Sequence, residues 1–257
     1  MRTIFIGDVH GMLDTLDDLL AQLQLSKGDR LIFLGDLIDK GPNQIGVLRR
    51  VIELQSRPDI DIQLVCGNHE DKHIRYRRNL TLRPKVAREQ ADNSPALVAF
   101  SAEAHDKDWH LLESALPFIR LPEFGLLALH GGIPGDMAEL PDETEFENST
   151  GKERDRIEKI WRTRFIDRDT GHFLGLGKAL PGDPFWAEVY DGRFGHVVFG
   201  HQPFMHGPAR YAFATGIDTG AVHGGQLTAL VVRSADRTED EFLQSAGYPY
   251  SVGHLTD

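Results

Sequence analysis

Cysteine is almost missing from this chain, and so are long apolar runs. Cys66 is the one cysteine among 257 residues, which excludes an intrachain disulfide and a thiolate metal cluster. It ends an apolar stretch, so we expect a buried, unreactive thiol. No apolar run approaches the roughly 20 residues that cross a bilayer. The chain begins with a strand-like segment and has no charged leader, so a cytoplasmic protein is expected.

Positive charge is also in short supply. The chain has 28 Lys and Arg against 39 Asp and Glu, a net charge of −11. This balance argues against an extended nucleic-acid surface, which would be basic. The segment from Lys72 to Arg88 is an exception, because it is rich in Lys and Arg and has no Asp or Glu. Such a stretch suggests an anionic substrate, although a solvated helix face would have the same composition.

The first part of the chain alternates between two hydrophobic periods. Residues 3–6, 31–34 and 62–66 are apolar runs typical of strands, and leucines with a spacing of three or four follow the first run. This βαβαβ pattern predicts a parallel sheet with right-handed crossovers.

The rest of the chain follows a different pattern. Residues 83–124 show no strand pattern and predict a helical insertion beside the site, and 125–129 predict a fourth strand. After residue 197, short strands without intervening helices suggest a second, antiparallel sheet. We expect one domain over residues 1–234, with 235–257 as a peripheral C-terminal segment.

Potential metal ligands follow the predicted strands. They are Asp8 and His10, Asp36, Asn68, His130 and His201. Parallel strands bring their carboxyl ends to one edge of a sheet, where such side chains meet. Oxygen and imidazole donors without sulfur suit Mn²⁺, Fe or Zn²⁺. Six donors from five strand ends favour two ions over one, and manganese is the expected metal.

The motifs around these residues resemble those of one family. Asp8-Val9-His10-Gly11, Gly35-Asp36 with Asp39 and Gly41, Gly67-Asn68-His69-Glu70, His130-Gly131-Gly132 and Gly200-His201 resemble the calcineurin-like metallophosphoesterases of the phosphoprotein phosphatase superfamily. The set spans roughly residues 3–220. The chain is most similar to a bacterial branch that includes symmetrical diadenosine tetraphosphatases and small serine/threonine phosphatases. The resemblance implies an α/β fold in which two mixed β-sheets pack as a sandwich flanked by helices.

The resemblance also implies a role for each motif residue. Asp8, His10 and Asp36 would hold one metal ion, and Asp36 would bridge to a second ion. Asn68, His130 and His201 would complete that second site. A hydroxide between the ions would attack phosphorus. His69 would protonate the leaving oxygen, and Asp39 would orient His69.

Two positions that would contact phosphate depart from the family pattern or stay open. Lys40 stands where the family usually has Arg, so it can hold phosphate only as a point charge. The Trp161–Phe165 segment resembles a Trp-plus-Arg motif of the bacterial branch. It predicts Arg162 as the second phosphate contact, with Arg164 and Arg193 as alternatives.

The predicted function is therefore a two-metal phosphohydrolase. Dinucleoside polyphosphates are the first expected substrates, followed by phosphoserine and phosphothreonine proteins, and a capped RNA end remains open as a further anhydride. Phosphodiester hydrolysis at the same centre and a non-catalytic binding protein on the same fold are the remaining alternatives. No membrane partner is expected.

Overall fold

Two mixed β-sheets form the centre of the molecule. The computed structural model describes residues 2–247, and within them each of these sheets has five strands. The strands of the first sheet are β1 (Thr3–Ile6), β2 (Arg30–Phe33), β3 (Asp61–Leu64), β11 (Thr228–Val232) and β12 (Glu241–Gln244). Their order across the sheet is β12-β11-β1-β2-β3. β1, β2 and β3 run parallel, as the βαβαβ pattern predicted, and β11 joins β1 antiparallel.

The strands of the second sheet are β4 (Ile119–Leu121), β5 (Leu126–Ala128), β8 (His196–Phe199), β9 (Ala209–Arg210) and β10 (Ala214–Gly216). Their order across the sheet is β4-β5-β8-β10-β9. β5, β8 and β10 are parallel, and only the edge strands β4 and β9 are antiparallel. The expectation of an antiparallel second sheet is therefore wrong. A separate hairpin pairs β6 (Phe165–Ile166) with β7 (Phe173–Leu174).

Helices cover the outside of the sheets. They are α1 (Leu13–Leu23), α2 (Gln44–Gln55), α3 (Asn68–Leu82), α4 (Pro84–Asn93), α5 (Pro95–Glu103), α6 (Asp106–Glu113), α7 (Glu143–Asn148), α8 (Gly151–Ile157) and α9 (Trp186–Val189). Helix α2 begins after Asn43, whose side chain accepts a hydrogen bond from the backbone N–H of Gly46. Such caps satisfy one of the free donors in the first turn. No helix of the described chain is long and apolar enough to span a membrane.

Alternating side chains divide the core into layers. Phe5 and Ile32 of the first sheet pack in one cluster with Ala128 and Val198 of the second. The neighbouring residues of β1 and β2 point the other way and pack against leucines of α1 and α2, as the two-residue period of a strand requires. Aromatic residues, including Trp186, cover the second sheet. The predicted sandwich flanked by helices is confirmed.

Two segments differ from what the sequence pattern suggested. The predicted helical insertion, 83–124, contains α4, α5 and α6 but also includes the strand β4 near its end. A run of three residues against β5 is too short to give a periodic signal. Within the predicted peripheral segment, 235–257, β12 pairs with β11 at the edge of the first sheet. Residues 248–257 lie outside the described part of the chain.

Candidate metal centre

The strand ends bring the predicted ligands together. Asp8 and His10 follow β1, Asp36 follows β2, and Asn68 begins α3 just after β3. His130 and His201 follow β5 and β8 of the second sheet. The three carboxylate and imidazole residues of the first sheet and the two imidazoles of the second are buried, and Asn68 is half-buried. The centre therefore lies where the ends of both sheets meet.

Asp36 occupies the middle of the cluster. Its Oδ2 atom lies 3.4 Å from Nε2 of His10 and 3.3 Å from Nε2 of His130. Two groups of potential ligand atoms share this carboxylate, and within each group all the atoms lie within 4.8 Å of one another. One group contains His10 and His69, and the other contains His130 and His201. A carboxylate shared in this way can bridge two cations.

Backbone carbonyls fix the orientation of two imidazoles. Nδ1 of His10 lies 2.8 Å from the carbonyl oxygen of Ile38, and Nδ1 of His130 lies 2.8 Å from that of Leu34. A carbonyl can only accept, so Nδ1 carries a proton in both rings, and Nε2 is the atom that a metal ion would contact. Both Nε2 atoms face Asp36. This is the ring orientation that metal-binding histidines use, and the donor set fits a transition metal ion.

Asp8 and Asn68 complete the cluster with oxygen donors. Oδ2 of Asp8 lies 3.9 Å from Nε2 of His10, and Oδ1 accepts a 3.0 Å hydrogen bond from the backbone N–H of His201. Oδ1 of Asn68 lies 3.0 Å from Nε2 of His130. Oxygen atoms of both residues thus point at the same space as the imidazoles.

The backbone of the centre is strained. His10, Asp36, Asp39, Lys40 and His201 have φ angles of 44°, 51°, 66°, 66° and 68°. Residues other than glycine rarely adopt this left-handed backbone conformation, and each instance costs the folded state on the order of 1–3 kcal/mol. Strain concentrated in one site indicates that the fold holds these side chains in positions that serve a function.

Glycines allow the loops to approach the two aspartates. A Cβ atom on Gly67 would collide with the carboxylate of Asp36, and one on Gly200 would collide with that of Asp8. Glu70 holds the same loops together, because its carboxylate accepts hydrogen bonds from the backbone N–H groups of Asp36, Leu37 and Gly67. Its role is therefore to shape the loop that presents Asp36.

Burial and crowding shift several pKa values. Burial lowers the pKa of His10 to about 3, and neighbouring His69 and Lys40 add to the effect. Burial raises the pKa of Asp8 well above its usual value, with help from nearby Asp218 and Asp36. Against the effect of burial, Asp36 and Asp8 raise the pKa of His130 to about 9. Closely packed carboxylates repel one another, and bound cations would relieve that repulsion.

His69 and Asp39 form a hydrogen-bonded pair beside the cluster. Nδ1 of His69 lies 2.6 Å from Oδ2 of Asp39, and Nε2 of His73 lies 2.8 Å from Oδ1. Lys72 also donates to this carboxylate, at 3.3 Å. Although burial opposes it, the bonds from the two imidazoles hold the pKa of Asp39 well below its usual value. Asp39 is therefore a fixed anion that orients His69.

The candidate phosphate contacts differ in position. Asp8, His10, Asp36, Asn68 and His201 line one pocket, which is called the metal pocket below. Lys40 and Arg164 also line it, and Nζ of Lys40 lies 3.4 Å from Nε2 of His10. Arg162 pairs with Asp71 and lines a neighbouring cavity, which Arg164 also lines. Arg193 pairs with Asp191 and lies outside the lining of both cavities. Among the three candidate arginines, only Arg164 lines the metal pocket itself.

The basic stretch of the sequence is mostly directed elsewhere. Only Lys72 reaches the centre, through Asp39. Arg75 pairs with Asp71, and Arg77 pairs with Glu113. Helix α3 is 15 residues long, so its far end is roughly 22 Å from Asn68. Within the described chain, this stretch lines no part of the metal pocket.

Asp218 is the main site residue that the sequence did not single out. It is buried and lines the metal pocket, and burial raises its pKa to about 6. The sequence offered only a weak signal, a carboxylate between Gly216 and Gly220. Cys66 is buried as expected, and burial raises the pKa of its thiol.

Comparison with known proteins agrees with this geometry. Residues 1–205 match the family model described as calcineurin-like phosphoesterase. A relative named bis(5'-nucleosyl)-tetraphosphatase PrpE [asymmetrical], from Oceanobacillus iheyensis, is 29% identical over 100% of this chain and 97% of its own length. A relative named bis(5'-nucleosyl)-tetraphosphatase, symmetrical, from Pseudomonas putida, is 28% identical over the full length of both chains.

A solved structure shares the fold. It is described as a putative diadenosine tetraphosphatase and covers 96% of this chain and 94% of its own, with a TM-score of 0.69 and 23% identity. With the family model matched over most of the chain, the resemblance drawn from the strand-end motifs is confirmed. The chain belongs to the calcineurin-like phosphoesterase family and is a metal-dependent hydrolase.

Proposed function

We propose that this protein hydrolyses the phosphoanhydride bonds of dinucleoside polyphosphates at a two-metal centre. The observation that carries the proposal is Asp36, a buried carboxylate shared by two groups of donor atoms at the strand ends. The names of the relatives from O. iheyensis and P. putida support the choice of substrate.

The metal ligands are assigned as the motifs predicted. Asp8, His10 and Asp36 would hold one ion, and Asp36, Asn68, His130 and His201 would hold the other. Bound there, two ions supply an activated water and neutralise charge on the phosphoryl oxygens. Manganese is our proposed metal, with iron and zinc as alternatives of similar ligand preference.

His69 is assigned as the general acid and not as a ligand. Its Nε2 atom is 3.9 Å from Asp36, farther than Nε2 of His10 or His130. Its Nδ1 proton is held by Asp39, so Nε2 faces the pocket and can give a proton to the leaving phosphate oxygen. The hydrogen bond to Asp39 holds the ring in the orientation that this step requires.

Lys40 and Arg164 are assigned as phosphate contacts. Both line the metal pocket, and Arg164 donates a 2.9 Å hydrogen bond to the carbonyl oxygen of His201, which fixes its guanidinium beside the centre. Arg162 is the weaker candidate because Asp71 already pairs with it. A forked guanidinium can hold two oxygens of one phosphate group.

A substrate panel tests the proposal. Protein loaded with Mn²⁺ would be given diadenosine tetraphosphate, a phosphoserine peptide, p-nitrophenyl phosphate and its bis-ester. We expect diadenosine tetraphosphate to be turned over at least about ten times faster than the peptide, a difference of about 1.4 kcal/mol in the barrier. Faster turnover of the peptide would assign the protein as a protein phosphatase instead, and preference for the bis-ester would make it a phosphodiesterase.

Metal analysis of the same preparation tests the centre itself. We expect about two ions per chain, the number that a bridging carboxylate serves. Less than one ion per chain, with no turnover of p-nitrophenyl phosphate, would indicate that the protein is a non-catalytic binding protein with this fold.

A further inference from the structure

We infer that the hairpin formed by β6 and β7 makes a binding site for a nucleobase next to the metal centre. The inference rests on the proposed function and specifies how one end of the substrate is held. Its ligand class is a nucleoside 5′-phosphate, with the phosphate at the metal centre and the base against the hairpin.

A cavity of about 450 Å³ lies between this hairpin and the centre. This volume is within the range of pockets that hold small organic ligands. One end of the cavity is formed by Asn68, Arg164 and His201, which also line the metal pocket. A phosphate bound at the centre would therefore carry its attached group directly into this cavity.

The two ends of the cavity differ in chemistry. At the end shared with the centre, Arg162 and Arg164 supply positive charge, and no acidic side chain lines any part of the cavity in the described chain. The hairpin end is apolar and includes Phe165, Phe173 and Leu176. A ligand that matches both ends has an anionic group joined to a flat apolar group, which describes a nucleotide.

The hairpin wall suits an aromatic ring in particular. Phe165 and Leu176 are partly or largely exposed although they are large apolar residues, and such exposure beside a catalytic pocket is typical of a binding surface. A base of any sequence can stack on an aromatic side chain, because every base has a flat aromatic face. Gln202 adds an amide that can both donate to and accept from the edge of a base.

Two leucines near the hairpin provide a matched pair of variants. Leu176 and Leu180 are both 68% exposed, but only Leu176 lines the cavity. Leu176→Ser and Leu180→Ser remove the same side chain at the same exposure, so a difference between them reports the cavity. Phe173→Ala removes a larger part of the wall and serves as the stronger second variant.

Equilibrium binding isolates the contribution of the base. The affinity of Mn²⁺-loaded protein for adenosine 5′-monophosphate and for ribose 5-phosphate would be measured by calorimetry. We expect adenosine monophosphate to bind about tenfold more tightly, from stacking of the base. This advantage should fall to about threefold or less in Leu176→Ser, nearly vanish in Phe173→Ala, and persist in Leu180→Ser.

Several outcomes would overturn the inference. It fails if ribose 5-phosphate binds as tightly as adenosine monophosphate, or if the advantage of the base survives in both cavity variants. Metal content and ribose 5-phosphate affinity of each variant report whether the centre is intact. The proposed function fails by a different result, namely turnover of p-nitrophenyl phosphate without turnover of diadenosine tetraphosphate by the wild-type protein.

Discussion

The two ends of strand β2 each carry a buried carboxylate, with very different partners. Asp29 precedes the strand and Asp36 follows it, and each residue is 2% exposed. Asp29 is fully paired within the chain: the guanidinium of Arg2 donates to both of its oxygens, at 3.2 and 2.5 Å, and the backbone N–H of Ser26 donates at 2.9 Å. Asp36 faces imidazoles and receives one backbone hydrogen bond, from His69, at 3.0 Å.

This difference separates a structural carboxylate from a functional one. A buried charge is tolerated when an opposite charge and hydrogen bonds satisfy it. Arg2 provides both for Asp29, so nothing further is required there. Asp36 has no arginine or lysine among its hydrogen-bond and ion-pair partners in the described chain. The different partners of these two equally buried carboxylates therefore support a structural role for Asp29 and the proposed metal-ligand role for Asp36.

Substitution of Asp36 should give the largest effect. Asp36→Asn removes the charge shared by both donor groups, so metal content and activity should fall together. The loss should exceed the roughly 10–100-fold typical of residues that only support a metal ligand. Metal analysis and turnover of p-nitrophenyl phosphate check this. Full activity with two bound ions would contradict the bridging role.

His69→Asn should affect the reaction without affecting the centre. The amide cannot supply the proton that the leaving oxygen needs, so kcat should fall by roughly 10²–10⁴-fold. Metal content should stay at the wild-type value because His69 is assigned no metal. Loss of metal together with activity would show instead that His69 is a ligand, as its place in the group with His10 and Asp36 would allow.

Asp29→Asn should affect stability and leave activity intact. The change leaves the guanidinium of Arg2 without its charged partner, and the free energy of unfolding should fall by about 2–4 kcal/mol. Urea unfolding measures this, and turnover below the transition should match the wild type. A loss of metal in this variant would mean that the two ends of β2 are not independent.

The smallest expected effect is a change with pH in the difference in unfolding free energy between the wild type and Asp29→Asn. Although burial opposes it, Arg2 and Ser26 lower the pKa of Asp29 from 3.8 to about 2. Because the pKa of Asp29 is lower in the folded state, its ionised form stabilises the fold at pH values above the unfolded-state pKa. That stabilisation is lost as the pH falls through about 2. The stability gap between wild type and Asp29→Asn should therefore be constant above about pH 5 and narrow below pH 4. A gap that widens in acid would contradict the assignment.

The sequence placed the predicted ligands at strand ends correctly because the signal for a strand end is local. Asp8 and Asp36 each follow a short apolar run and sit beside glycine, so their place at a strand end can be seen without knowledge of the fold. The parallel β1–β2–β3 unit was predictable for the same reason, since helix and strand periods alternate clearly there. The ligand assignments remain predictions that metal analysis will test.

The elements that the sequence missed depend on distant pairing. The strand β4 exists because it pairs with β5, and β12 because it pairs with β11. Arg164 could not be chosen over Arg162, because only the path of the chain after Trp161 decides which guanidinium faces the metal pocket. Asp218 reaches the centre from the loop after β10, and a single carboxylate in a loop has many ordinary explanations.

The bond from the backbone of His201 to Asp8 joins residues 193 positions apart. On a ribosome, which adds the chain from its N-terminus, Asp8, His10 and Asp36 are made long before His201, and β11 must still be synthesised before β1 gains its second neighbour. Until His201 is made, the proposed metal centre lacks one of its assigned ligands. Contacts of such long range also slow folding. Hydrolytic activity should therefore be among the last properties that a newly made molecule acquires.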